Sequence, residues 1–140
     1  MSRILGVDLG SRRIGLALSD PLGITASPLR VLERGAAHEV DHRVIVDIAR
    51  EAEAGCIVVG LPRALSGKSG PAERATLVEV EELRVVAGPD LPVETHDERF
   101  TTVIAQKVLI DADVRRKERK QVVDKVAAAV MLQGYLEARS

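Results

Sequence analysis

Apolar residues fall into short, separated blocks along the chain. Residues 3–9 are a mostly apolar run, which predicts a buried strand closing in a turn at Gly10-Ser-Arg-Arg13. Ile14-Gly-Leu-Ala-Leu-Ser19 then predicts its hairpin partner, and a short segment at 29–32 offers a third strand. Between residues 37 and 54 the period lengthens. Val40, Val44, Ile48 and Ala52 recur every four positions, with Ile45 and Ala49 alongside, which predicts a helix buried along that face. Cys56-Ile-Val-Val-Gly60 is a continuous apolar run next to turn signals, the pattern of a central parallel strand. A loop over 61–70 leads to a helix that starts at Pro71, a favoured first position, with an irregular apolar face. Residues 92–96 predict a further parallel strand. A helix follows with Phe100, Ile104, Val108 and Ala112 on one face, and a last helix over 121–137 carries Val122, Val126 and Val130 on one row. Strand–helix alternation behind a leading antiparallel hairpin predicts an α/β domain over residues 1–140, with a mixed sheet and helices on both faces.

Composition narrows the function. The 140 residues suit one domain, and 46% apolar with 29% charged residues is the balance of a folded globular chain. No apolar stretch approaches the ~20 residues of a membrane span, and the first residues show no leader pattern, so no membrane partner and a cytoplasmic location are expected. Cys56 is the sole cysteine, which excludes an internal disulfide and a multi-cysteine zinc site. With one Phe, one Tyr and no Trp, base-stacking platforms are not expected. The net charge of −1 argues against a polycation, but the charge is unevenly placed. Residues 99–140 hold nine basic and five acidic residues, a net of +4, against −5 for residues 1–98. Five of those cations crowd into Arg115-Arg-Lys-Glu-Arg-Lys120.

Three acids stand out. Asp8 sits within the otherwise apolar Leu5-Gly-Val-Asp-Leu-Gly10, where a charge is costly unless paired or metal-bound. Glu98 directly follows the strand at 92–96. Asp124 falls in the first turn of the last helix, ahead of Ala127-Ala-Ala129, whose small side chains let that helix approach a sheet closely. In open α/β sheets ligands gather at the carboxyl ends of strands. Three carboxylates converging there without histidine or thiol would suit a hard cation, Mg²⁺ or Mn²⁺, and two such ions assist phosphodiester displacement. Spacing alone leaves the alternative of structural acids open. Asp124 also fits a helix N-terminal acid favoured by the dipole, Asp20 and Asp90 fit turns, and Asp111 and Asp113 fit solvated helix ends.

Several motifs are decoys. His38-Glu-Val-Asp-His42 matches H-E-x-x-H, yet Asp41 places a charge in its spacer and no third ligand is marked, so a polar first helical turn is the simpler reading. Gly60-Leu-Pro-Arg-Ala-Leu-Ser-Gly-Lys-Ser69 has six residues between its glycines where a phosphate loop has four. A sugar-kinase or actin type of ATPase shares a loop like residues 6–15 but clasps nucleotide between two domains. Cys56 reads as a buried small hydrophobe, Thr101 and Thr102 as helix caps, and Phe100 and Tyr135 as core or interface residues. His96 fits either a structural role or the positioning of substrate or water.

Gly6-Val-Asp-Leu-Gly10, Arg13-Ile-Gly-Leu-Ala-Leu-Ser-Asp20, Val58-Val-Gly-Leu-Pro62, Asp97-Glu-Arg-Phe-Thr-Thr102 and Val123-Asp-Lys-Val-Ala-Ala128, with Leu132-Gln-Gly-Tyr-Leu136, resemble the YqgF/RuvX family in order and over almost the whole chain. The resemblance implies a ribonuclease-H-like fold and a nuclease acting in 5′-end maturation of pre-16S ribosomal RNA, with Holliday-junction resolution linked to some members. It places the catalytic and metal-binding carboxylates on Asp8, Glu98 and Asp124. Asp8 would then bridge two divalent ions, with Glu98 and Asp124 each completing one shell. The loop reads Arg63-Ala-Leu-Ser-Gly67 where relatives often carry Asn or Asp before the glycine, and residues 71–87 lack an aromatic residue common in relatives. Phosphate contacts are expected from Arg12, Arg13, Arg63, Lys68, Arg115, Arg116, Lys117, Arg119 and Lys120, although a charge run is also the ordinary pattern of a solvated face. The expected partner is nucleic acid, pre-rRNA before branched or single-stranded DNA, with the ribosome and a second copy of the chain as further candidates. A non-catalytic ribosome-assembly protein is the remaining alternative.

Overall fold

The computed structural model describes residues 2–62, 70–97 and 116–139, with side chains in the last segment from residue 126 onward. Five strands, β1 (Arg3–Leu9), β2 (Arg13–Ser19), β3 (Ala26–Glu33), β4 (Ala54–Leu61) and β5 (Val93–Asp97), form one sheet in the order β3-β2-β1-β4-β5. β1, β2 and β3 run antiparallel in sequence, whereas β4 pairs parallel to β1 and β5 parallel to β4. Helices α1 (His38–Glu51) and α2 (Pro71–Ala87) cover one face and α3 (Arg116–Arg139) the other. The mixed sheet, leading hairpin and two-sided helical cover match the sequence expectation.

The alternation of β1 sets both cores. Leu5 and Val7 point into the cluster with Ile45, Ile57 and Leu83 on the α1–α2 side. Ile4 points into the cluster with Val58, Met131, Leu132 and Leu136 beneath α3. Each fully buried leucine contributes about 1.5–3 kcal/mol by leaving water. Gly6 lies between these α3-facing positions, and a Cβ built there would stand only 2.9 Å from Cβ of Leu132. With Ala127, Ala128 and Ala129 also buried, small residues bring α3 directly against the sheet, as the alanine run implied.

Some expectations need correction. β3 is longer than 29–32 because it pairs along all of β2. Its residues are mostly exposed and carry no apolar pattern, and Pro28 sits at a register shift opposite Ala17. α1 ends at Glu51, not near 54, because Glu53 adopts φ 59° in the left-handed region. Its buried row is His42, Ile45, Val46 and Ala49, whereas Val40 and Val44 are 55% and 37% exposed. The apolar count pointed to the wrong row because Asp41 and His42 occupy the buried one. α2 has an irregular apolar face for the same reason: Glu73, Thr76 and Glu79 are buried beside Val80 and Leu83. The helix expected around Phe100 and Ile104 lies outside the described residues. α3 starts at Arg116, five residues before the expected 121. Its buried residues include Ala128, Leu132 and Leu136, leaving Val126 and Val130 half-buried beside them.

Candidate active site

The carboxyl ends of β1, β4 and β5 open on one edge of the sheet. Asp8 is half-buried there, the next residue after Ile4 and Gly6 on the α3 face of the central strand. Val7 is level with Val59, so Asp8 is level with Gly60, which pairs with His96 of β5. Asp8 and His96 thus stand two strands apart, roughly 10 Å. The strand between them contributes only glycine at that level. The His96 ring meets the Tyr135 ring edge-on at 5.8 Å between centroids.

α3 crosses this face with its N-terminal half toward the same edge. Its C-terminal Arg139 reaches a pocket shared with Arg3 and Ile4 at the start of β1, and Leu132 sits over Gly6 further along. Position 124 is eight residues before Leu132, about 12 Å of helix in the direction of Asp8. Asp124 is therefore in the third turn of α3 rather than the first, and the helix N-terminal reading of this acid is removed. Arg116, Lys117, Arg119 and Lys120 form the first turns of that helix rather than a segment before it. Glu98 follows β5 immediately and lies outside the described residues, as do Arg63, Lys68 and Arg115.

The turn after Asp8 carries Arg12, exposed, and Arg13, half-buried. It is tightly bonded: the Gly10 amide donates to the Arg13 carbonyl at 2.9 Å and the Asp8 carbonyl at 3.2 Å. A Cβ at Gly10 would stand 2.5 Å from the Arg13 carbonyl oxygen, so the turn requires glycine.

The decoys resolve in other ways. His42 is fully buried and its Nε2 lies 2.8 Å from Glu79, while His38 pairs with Glu82 on the surface. Glu39, the would-be base of H-E-x-x-H, pairs with Arg43 at 2.9 Å. Among the described residues, no group of three or more His, Cys, Asp or Glu is placed to hold a metal ion. Asp20 is a turn residue, as expected: its Oδ1 accepts from the amides of Ile24 and Thr25, and the Thr25 bond leads in holding its carboxyl below the ordinary value. Asp90, in the turn before β5, bonds Arg50 at 3.1 Å. Cys56 is half-buried near Glu94, and burial, reinforced by that carboxylate, pushes its thiol up to about 12. The Tyr135 hydroxyl also bonds Glu94.

Sequence reasoning missed one cluster. The Arg34 guanidinium donates to Glu79 through both Nη atoms, at 2.6 and 2.9 Å, and through Nε to the Gly10 carbonyl at 2.9 Å. Burial pushes the Glu79 carboxyl up, but the bonds from Arg34 and His42 outweigh it and hold the group below the ordinary value. The signal was present: Asp41 and His42 complete the helical stripe of Ile45, Val46 and Ala49 when polar residues are admitted to it.

A five-stranded mixed sheet with this order, helices on both faces and an acid at the end of its central strand defines a ribonuclease-H-like α/β protein. Its fold is similar to that of T. thermophilus RuvC in complex with Holliday junction substrate, with TM-score 0.58, 14% identity, and 99% of this chain and 96% of that one covered. The chain belongs to the RuvX family, described as Holliday junction resolvase, whose model matches residues 2–138. It is 46% identical over 136 residues to a protein of Desulforamulus reducens named "Putative pre-16S rRNA nuclease", covering 97% of each chain. A Symbiobacterium thermophilum protein of the same name is 47% identical over 138 residues, covering 99% of this chain and 94% of that one.

Proposed function

We propose that this chain is a metal-dependent phosphodiester hydrolase that processes the 5′ end of pre-16S ribosomal RNA in the cytoplasm, with residues 1–140 as one domain. The observation that carries the reading is Asp8, half-buried on the α3 face at the end of the central strand and level with a glycine on its parallel neighbour. The names of relatives at 46% and 47% identity support the substrate.

Asp8, Glu98 and Asp124 would hold Mg²⁺ or Mn²⁺, two ions per site. The donor set fits, because all three offer hard carboxylate oxygens and Asp8 lies level with Gly60, which carries no side chain. When bound, such ions supply a water of lowered pKa and offset charge at the leaving oxygen. Asp8 lies on a strand paired on both sides and is itself in register with Gly15 of β2. Arg12 and Arg13, on the turn leaving that strand, and Arg63, Lys68, Arg115, Arg116, Lys117, Arg119 and Lys120 would hold backbone phosphates. With one Phe and one Tyr in the sequence, binding through the backbone with weak base preference follows.

The description of the matching family model favours a second reading, a Holliday-junction resolvase. That reaction needs a dimer presenting two sites to paired strands, whereas RNA trimming does not. The test compares cleavage of single-stranded RNA carrying the pre-16S 5′ extension, single-stranded DNA and a four-way junction, each with Mg²⁺ or Mn²⁺. Preferred cleavage of the RNA supports the first reading. Preferred cleavage of the junction supports the second, and binding without cleavage of any substrate supports a non-catalytic assembly role.

A further inference from the structure

Four charged or titratable side chains from three elements meet between α1, α2 and the end of β3, and none belongs to the carboxylate site. Arg34 follows β3, Asp41 and His42 lie on α1, and Glu79 lies on α2. Their side chains are 15%, 7%, 1% and 7% exposed, respectively. Asp41 accepts from the Gly35 amide at 2.7 Å and stands 3.7 Å from Arg34, while His42 Nε2 bonds Glu79 Oε2, the oxygen that also accepts from Arg34 Nη1.

A buried ionic cluster is a poor source of net stability, because removing charges from water offsets most of their attraction. An apolar plug of similar volume would fill the space as well. What an apolar plug cannot do is bond a backbone carbonyl. The guanidinium is a planar fork: with both Nη atoms on Glu79, Nε is aimed along a fixed direction, and it meets the Gly10 carbonyl at 2.9 Å. The Arg34 amide also donates to the Arg12 carbonyl at 2.9 Å. One residue therefore holds two carbonyls of the turn that links Asp8 to Arg12 and Arg13, and its own direction is fixed by the cluster on α1 and α2.

We propose that Arg34 is a positioning residue for the nuclease site, fixing the 10–12 turn, and through it Asp8 and the Arg12 and Arg13 phosphate contacts, against the buried Glu79–His42 pair. The proposal rests on the nuclease reading and names a residue outside its carboxylates. Small displacements are enough to matter, since misplacing a reacting group by about 1 Å can cost on the order of a hundredfold in rate.

The test uses Arg34→Lys, whose compact ammonium cannot reproduce the planar fork that holds both Glu79 oxygens while Nε meets the Gly10 carbonyl, and Glu79→Gln, which keeps the shape but weakens the fork's anchor. Both are assayed well below their unfolding midpoints, with circular dichroism verifying the folded state. Two readouts are taken: amide exchange at Gly10 and at residue 34 by NMR, and kcat and KM for RNA cleavage. The expected result for Arg34→Lys is at least tenfold faster exchange at both amides, unchanged exchange in β4, and kcat at least tenfold lower. Glu79→Gln gives a smaller change in the same direction. Wild-type kcat in folded Arg34→Lys, with or without faster exchange, overturns the proposal. If Arg34→Lys does not fold, Glu79→Gln decides by the same measures. If the wild-type chain cleaves nothing, the nuclease reading fails separately, and the RNA affinity of the variants replaces kcat: weaker binding with faster Gly10 exchange supports the clamp, and unchanged binding overturns it.

Discussion

Gly6→Ala tests whether close packing of α3 on the central strand positions the site. The added Cβ would stand 2.9 Å from Leu132 Cβ and 3.2 Å from its Cδ2, whereas ordinary contact begins near 3.4 Å. Leu132 is fully buried beside Met131 and Leu136, so it has little room to turn away. The helix and strand must part by roughly half an ångström or more, and overpacking of this kind costs about 1–3 kcal/mol. At about 4 °C per kcal/mol for a chain of this size, the midpoint should fall by about 4–12 °C. The same shift carries position 124 away from Asp8, so kcat should fall about tenfold in fully folded protein. Leu132→Ala alone should cost about 2–5 kcal/mol by leaving a cavity. Gly6→Ala/Leu132→Ala keeps the Cβ–Cβ contact but removes those with Cγ and Cδ2 and leaves α3 room to shift, so the clash is relieved in part and the double variant should be less destabilised than the sum by about 0.5–1 kcal/mol. Urea unfolding of the four proteins gives the cycle. An unchanged midpoint for Gly6→Ala, or strict additivity, would refute the reasoning.

Further predictions follow from other parts of the structure. With its thiol pushed up to about 12, Cys56 should react with iodoacetamide at pH 8 at least about tenfold more slowly in the folded protein than in urea, and equal rates would contradict its burial. Glu79 has a native value below the ordinary 4.5, so the stability it contributes is complete above that pH and is lost as pH falls through the lowered value. Acid unfolding of Glu79→Gln should accordingly depend less on pH below 4.5 than that of the wild type, and parallel curves would remove Glu79 from acid stability. Arg12→Gln/Arg13→Gln should weaken binding evenly across RNA sequences and reduce the salt slope by roughly 1.4 to 1.8, as measured by fluorescence anisotropy, while an unchanged slope would make the pair a solvated face.

β1, β2, β4 and β5 were legible because their apolar runs are short and bounded by turn residues. The place of Asp8 near the end of β1, half-buried, was legible from the apolar run around it. Asp124 was placed in the right helix but in its first turn, because the basic residues before it were set ahead of a helix beginning at 121, whereas Arg116 to Lys120 belong to α3. Cations at a helix start oppose the dipole, so no local signal announced that start. The row of α1 was misread because period counting admits only apolar residues, whereas His42 and Asp41 are buried by pairing with groups on α2 and after β3. The His42–Glu79 pair joins residues 37 positions apart and leaves no trace in a local window, and the Gly35 amide reaches Asp41 from outside the helix, where period counting does not look. The length of β3 was hidden similarly, since an exposed strand is specified by its ladder with β2 and by Gln133, which bonds the Ala26 amide and the Ile24 carbonyl.

The most direct measurement is cleavage and binding of the preferred nucleic acid by wild-type protein and Asp8→Asn, side by side, with Mg²⁺ or Mn²⁺. Asparagine keeps the shape of the side chain while removing its charge. The variant should fold and bind with nearly wild-type affinity, and its cleavage should fall to background with either ion. Cleavage by Asp8→Asn at the wild-type rate would contradict the assignment of Asp8, and with it the site at the end of the central strand.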